Sequence, residues 1–378
     1  MRVTVVTTWL PTALAPSSGS FVLRDCQAIR DAGHRLRIIH LVPPHQDDGT
    51  RHVTMDGMPV LRLPMRPANP ASVAAAACRL PRLLDGADVL HSMAMSSLAP
   101  LSLLDLAGRL TLPWVHTEHW SGLTNPGTLS APLRAGRVLV GRALARPDVV
   151  TAVCEYLAEP VRAVRHEAAT VVVPCIVDPV GDPVERGPRD EGGPLRLVSV
   201  GGLVARKDPL TCVEVTAELA RRGQEVTMTF VGQGPLHEEI VTRAAQLGVA
   251  DRVVLTGTLN AAGVHDELAA AGLFLGPTRG DNFFVSAAEA IVAGRPVVVS
   301  DAGGQVEYVQ PDNGTIVPAG APVAQWADAV EATWRRLVHV SAAEVAGTIG
   351  QRFAASTVGA AYGAVYEQVC SPASGDAA

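Results

Sequence analysis

Lysine is nearly absent from this sequence: of 31 basic side chains, 30 are arginine and one, Lys207, is lysine. Aromatic residues are also scarce, at 4% of the 378 residues. Neither half of the chain carries a dense basic stripe interleaved with aromatics, so nucleic acid is not among the expected partners. No stretch reaches 18 uninterrupted apolar residues, and no transmembrane helix is predicted. No strongly basic amphipathic helix stands out, which limits expected membrane contact to a peripheral one. The six cysteines (Cys26, Cys78, Cys154, Cys175, Cys212 and Cys370) follow no CxxC or Cys/His spacing. Their scatter fits reduced thiols in a cytoplasmic protein. D-x-D is missing throughout, so the sequence does not support a Mg²⁺–diphosphate site of that type.

What is present is apolar and orderly. Hydrophobic residues make up 48% and charged residues 18% of the chain, enough for a sizeable core and too apolar for bulk disorder. The length suits two α/β domains. The net charge of −6 divides unevenly, with 17 basic and 14 acidic residues in 1–180 against 14 and 23 in 181–378. "MRVTVVTTWLPTALAP" has an A-x-A ending at Ala15 that could pass for a signal peptide. Its threonines and proline weaken the apolar region such a peptide needs, and "RVTVVTT" reads as a buried first strand instead. Further strands are expected at "RLRIIHL", "ADVLHS", "PWVHT" and "DVVTAV", then at "LRLVSVG", "VTMTFVG", "RVVLTG", "LFLGP" and "RPVVVS". Helical patterns lie between them, for example over 20–32, 209–222, 235–247 and 323–337. This alternation predicts an α/β chain of two Rossmann-like, doubly wound domains facing across a cleft, with ligands at the carboxyl ends of the strands. The Pro-, Gly- and charge-rich stretch 178–194 reads as a linker between residues 1–177 and 195–351, and 371–378 as a frayed tail.

Three constellations carry chemistry. In "VGGLVARKDPL", Asp208 and Pro209 read as the N-cap and first residue of a helix. Arg206 and Lys207 would then place two cations at its positive end, which calls for an anion, and a phosphate or diphosphate fits. In "RGDNFFVSAAEAIVAG", a buried helix begins near Asn282, Phe283 and Phe284 and stops at Gly294. Its first N–H groups can hold phosphate, and Glu289, two turns along, can accept hydrogen bonds from ribose hydroxyls. Asp281 either caps the helix or reaches hydroxyls beyond the phosphates. A structural ion pair of Glu289 with Arg295 or Arg279 is the plainer alternative. The third constellation is "PWVHTEHWSG", where His116, Glu118, His119 and Trp120 end a strand of the first domain. It lacks helical H-E-x-x-H spacing and a third ligand, so no metal is expected. An acceptor-facing role is assigned to His116, Glu118 and Trp120, and substrate orientation to His119. Glycines at 19, 201, 202, 232 and 234 each permit close backbone approach to a ligand.

Taken together these segments resemble glycosyltransferase family 4, the retaining family with the GT-B fold. The resemblance runs from "MRVTVVTTWLP" through "TEHWSG", "SVGGLVARKDPL" and "FVGQGPL" to "DNFFVSAAEAIVAGRPVVVSDAGGQVEYVQPDNGTIVP". It implies transfer of a sugar from a UDP-, GDP- or dTDP-linked donor to a hydroxyl acceptor, without metal or other cofactor. The implied roles place Asp281 and His119 at the sugar, Lys207 on the donor diphosphate and Glu289 on the ribose. Arg206, Gly19, Gly202, Gly232, Gly234, Asn282, Phe283 and Phe284 complete the implied donor site. It also implies that residues 352–370 form a helix returning to the first domain. The chain departs from the family pattern at Asp281, in place of glutamate, at Phe284, in place of glycine, and at Gly202, in place of arginine. The rivals are an isomerising or phosphorolytic enzyme of the same fold, a secreted two-lobed binding protein and a non-catalytic partner subunit.

Overall fold

A computed structural model describes residues 1–125, 137–166, 168–185 and 194–371. The chain divides into two compact units, one formed by Met1–Ile176 with Ala354–Ala378 and the other by Val177–Phe353. The described part of the expected linker, 178–185, belongs to the second unit. Its remainder, 186–193, and the tail beyond Ser371 lie outside the described residues.

In the first unit, β1 (Arg2–Thr7), β2 (Arg35–Val42), β3 (His52–Met55), β4 (Met58–Pro64), β5 (Val89–Met93), β6 (Trp114–Glu118), β7 (Val149–Ala152) and β8 (Thr170–Val172) form one sheet. Their order is β3-β4-β2-β1-β5-β6-β7-β8. The apolar opening stretch is thus a central strand, paired in parallel with β2 and β5. Every pairing is parallel except β3–β4, a hairpin whose turn residues Asp56 and Gly57 both have positive φ. "MDGM" is a sequence signal for such a turn, and the strand list above overlooked it. The core gathers Val3, Val5, Ile38, Val89 and Val115 with Cys26 and Ile29 of the helix Ser20–Asp31. The helix Ala355–Cys370 belongs to this unit and lies against Ser20–Asp31. They approach so closely that a Cβ on Gly359 would sit 2.4 Å from the Ala28 carbonyl oxygen.

In the second unit, β9 (Leu195–Val200), β10 (Val226–Val231), β11 (Val253–Gly257), β12 (Leu273–Gly276), β13 (Val297–Ser300) and β14 (Gly314–Val317) are all parallel. The order β11-β10-β9-β12-β13-β14 is the doubly wound 3-2-1-4-5-6 arrangement. Strand order reverses between β9 and β12, so the loops leaving their carboxyl ends diverge there and expose a binding position. Helices Pro209–Arg221 and Val323–Leu337 pack Val213, Leu219, Trp326, Val330 and Trp334 into a core with Met228, Phe230, Leu273 and Leu275. The helix Val285–Val292 follows β12 and ends at Ala293, where Gly294 turns with φ 78°.

Candidate functional site

The loops leaving β9 and β12 are fastened together: Arg279 N–H donates to the Arg206 carbonyl at 2.7 Å, and Thr278 Oγ1 donates to it at 3.1 Å. This seam brings Lys207 and Arg206 onto Asp281. Lys207 Nζ lies 2.5 Å, and Arg206 Nη1 2.8 Å, from the same carboxylate oxygen, Oδ2. Arg206 also donates to the Gly280 carbonyl at 2.8 Å. The other Asp281 oxygen accepts from Phe284 N–H at 3.4 Å. The anion that two cations at a helix start require is therefore present within the chain, whereas the sequence reading left that place to a ligand. Asp281 and Lys207 form one cluster. Two cations thus share one carboxylate.

Burial drives the Asp281 carboxyl upward, but the charges and hydrogen bonds of Lys207 and Arg206 outweigh it and hold its pKa below the ordinary carboxylate range. Burial likewise lowers the Lys207 pKa, with Asp281 opposing, Arg206 adding to the drop and Glu289 opposing it. Glu289 thus lies within electrostatic reach of Lys207, half-buried in the middle of the helix Val285–Val292. Asn282, Phe283 and Phe284 are buried where this helix starts. Phe284 occupies the N-cap with φ 59° and ψ 59°, a left-handed conformation that costs a non-glycine residue ~1–2 kcal/mol.

Asp208 precedes the helix Pro209–Arg221 as expected, but it is left-handed and makes no side-chain cap. Its carboxylate instead takes both the Nε and Nη2 of Arg279 at 3.0 Å. The glycines also find a different reason from the one expected. A Cβ on Gly232 would stand 2.0 Å from the Gly201 carbonyl oxygen, and one on Gly234 2.3 Å from that of Leu203. Both are demanded by the neighbouring loop backbone. At Gly202 the nearest atoms to such a Cβ are 3.8 Å away, so packing there would accept a side chain.

In the first unit, Gly19 is the left-handed N-cap of Ser20–Asp31, and a Cβ there would stand 2.3 Å from the Trp9 carbonyl carbon. His116 and Glu118 are fully buried on β6, which corrects the acceptor-facing position expected of them. His116 Nδ1 lies 2.9 Å from Ser92 Oγ and its Nε2 3.3 Å from Glu118 Oε2. Glu118 Oε1 accepts from the backbone N–H groups of His119 and Trp120 at 2.9 and 2.6 Å. Glu118 therefore shapes the turn that presents the next two residues. Trp120 is half-buried. The His119 ring packs against Phe21 at 4.7 Å, tilted by 56°, and its Nε2 lies 3.6 Å from Asp25 Oδ2. Tyr362 of the last helix donates to Asp25 Oδ2 at 3.4 Å. The sequence reading missed Asp25. Its signal was there: an acid at 25 among apolar 22, 26 and 29 falls on the buried face of a helix.

No group of three His, Cys, Asp or Glu side chains placed to hold a metal ion occurs among the described residues. None of the described helices is long and apolar enough to cross a membrane.

Comparison with protein families matches the model "Glycosyl transferases group 1" over residues 194–336 and "Glycosyl transferase 4-like domain" over 18–175. The chain belongs to glycosyltransferase family 4. Its two sheets of mostly parallel strands and its structural relatives show the family's GT-B fold of two Rossmann-like domains. Among solved structures, the Anabaena protein HepE in complex with UDP and glucose matches with a TM-score of 0.73 at 16% identity, covering 97% of this chain and 100% of that one. Among curated members of known name, a 2-deoxystreptamine glucosyltransferase of Streptomyces kanamyceticus is 31% identical over 60% of this chain and 62% of its own length. A GDP-mannose-dependent alpha-(1-6)-phosphatidylinositol monomannoside mannosyltransferase of Mycobacterium tuberculosis is 34% identical over 35% of this chain and 37% of its own. The chain thus spans less than two thirds of either relative's length.

Proposed function

We propose that this chain is a retaining glycosyltransferase that moves a sugar from a nucleotide-diphospho-sugar to an acceptor hydroxyl, without a metal ion. The observation that carries this reading is the cluster of Lys207 and Arg206 on Asp281, set at the strand-order reversal between β9 and β12. A leaving diphosphate gathers negative charge as the glycosidic bond breaks, and pre-placed cations stabilise it without needing to reorganise. Lys207 and Arg206 supply that charge, joined by the backbone N–H groups where the helix Val285–Val292 begins. Glu289 accepts from the ribose hydroxyls. Asp281 and His119 orient the sugar, and Asn282, Phe283 and Phe284 line the helix start. Trp120 and the turn held by Glu118 receive the acceptor. The absence of a disulfide among the six cysteines, all of them described, favours a cytoplasmic setting.

The names of the two curated relatives suggest an acceptor class. 2-Deoxystreptamine and the inositol of a phosphatidylinositol are both six-membered carbocycles bearing several polar groups, and we extend that class, a cyclitol, to this chain. The donor is tested by thermal shift with UDP, GDP, ADP and dTDP on wild type and Glu289→Ala. One nucleotide should raise the Tm of wild type by several degrees, and the variant should lose most of that rise. An undiminished shift removes the ribose role of Glu289. Transfer is then assayed with EDTA present, with inositol and 2-deoxystreptamine as acceptors. Turnover of donor to a new sugar with no acceptor present would replace this reading with an isomerising or phosphorolytic one.

A further inference from the structure

We propose that Phe284 is the positioning residue for Lys207, its ring serving as the platform on which the ammonium rests before any ligand arrives. Lys207 Nζ lies 4.0 Å from the centre of the Phe284 ring, well inside the ~6 Å range of cation–π attraction. The Lys207 side chain is only 19% exposed, and such attraction strengthens when the cation is desolvated. The ring itself is fixed. It is buried, meets Phe274 edge-on at 5.7 Å, and lies over Gly276, where a Cβ would stand 2.6 Å from its Cζ.

The backbone makes this placement informative. At φ 59° and ψ 59° a glycine would sit without strain, whereas a bulky residue with positive φ is an outlier. Local preference and actual residue conflict here, and such conflicts concentrate at functional positions. The aromatic side chain is what the strained position gains. An ammonium has three donors. Asp281 takes one at 2.5 Å and the ring face attracts the group from another side, which holds Nζ in place for an incoming phosphate oxygen. Asp281 supplies charge pairing, and Phe284 supplies position.

Because Lys207 is the chain's single lysine, ¹³C-lysine labelling gives one ε-methylene signal that reports this contact without a ligand. In wild type it should be shifted upfield by the ring current, and in Phe284→Leu the shift should vanish. A second variant carries 3,4,5-trifluorophenylalanine at position 284, keeping the ring's shape while cancelling most of its quadrupole. It should bind UDP about fivefold more weakly and UMP unchanged (GDP and GMP, if the nucleotide panel selects guanine). An unshifted ε-methylene signal in wild type would overturn the proposal, as would a fluorinated variant with unaltered affinity or with equal losses for both nucleotides. The affinity arm rests on the donor reading above. If no nucleotide binds wild type, that reading falls, and the ring-current arm still decides the placement of Lys207.

Discussion

At the scale of single residues, the ion cluster on Asp281 makes two opposed demands. The carboxylate neutralises part of the charge on Lys207 and Arg206, and any phosphate must share those cations with it. Asp281→Asn removes the competitor while keeping the shape. Without ligand, two partly buried cations then lose their anion, so the variant should be destabilised by ~1–3 kcal/mol. With the nucleoside diphosphate bound, much of that loss should be recovered, so its thermal shift should exceed that of wild type. Transfer should nevertheless fall by about two orders of magnitude in kcat, because the group proposed to orient the sugar is gone. A smaller thermal shift in the variant would contradict the competition. In wild type, the lowered pKa of Asp281 means that this pairing contributes stability above the ordinary carboxylate value of ~4. It is lost as pH falls through the folded pKa. Sequence reading singled out Lys207 because lysine is so rare here, and it inferred that an anion was needed. It did not find the anion within the chain, because residues 207 and 281 meet only through the seam between two loops far apart in sequence.

At the scale of elements, strands and helices were legible where apolar period and length agreed, as in β1, β9 and the helix Ser20–Asp31. β8 and β14, at three and four residues, were not read as strands, although β7, β12 and β13, at four residues each, were, so length alone does not set the limit. The glycines were legible as special, but their cause was not, since Gly232 and Gly234 answer to loop carbonyls from β9. Gly359 is the clearest helix–helix case. Gly359→Ala drives a methyl into the Ala28 carbonyl, and neither backbone can yield cheaply, so a loss of ~1–3 kcal/mol is expected. Gly347→Ala is the matched control: nothing lies within 4 Å of its Cβ, and alanine is the better helix former. Chemical denaturation of both variants checks the pair. Equal stabilities would show that the two helices can part without cost.

At the scale of the molecule, a buried polar chain ties the last helix to the sheet of the first unit. Tyr366 Oη lies 2.7 Å from His91 Nδ1, His91 Nε2 2.6 Å from Thr117 Oγ1, and Thr117 Oγ1 2.7 Å from Thr151 Oγ1. Burial, with His116 and His119 adding to it, lowers the His91 pKa to about 3. Burial also takes His40 to about 4, with Arg62 adding to it. An unfolded chain protonates these rings near pH 6.5 while the folded one does not, so their contribution is complete above that pH and erodes toward pH 3. Each can remove up to about 1.4 kcal/mol per pH unit in that window. His91→Gln, which keeps a donor and an acceptor, should flatten the fall of unfolding free energy between pH 6.5 and 5, and a slope equal to wild type would refute the assignment.

The hairpin of the first sheet has a colloidal consequence. Open strand edges recruit other chains and seed aggregation, and seven-residue β4 would offer such an edge on its outer side. Folding back at Asp56-Gly57, four-residue β3 covers it, and beside β3 the Arg51–Asp47 ion pair holds charge at the rim. The hairpin thus leaves a short strand beside a charged pair, rather than the longer β4, at this edge of the sheet.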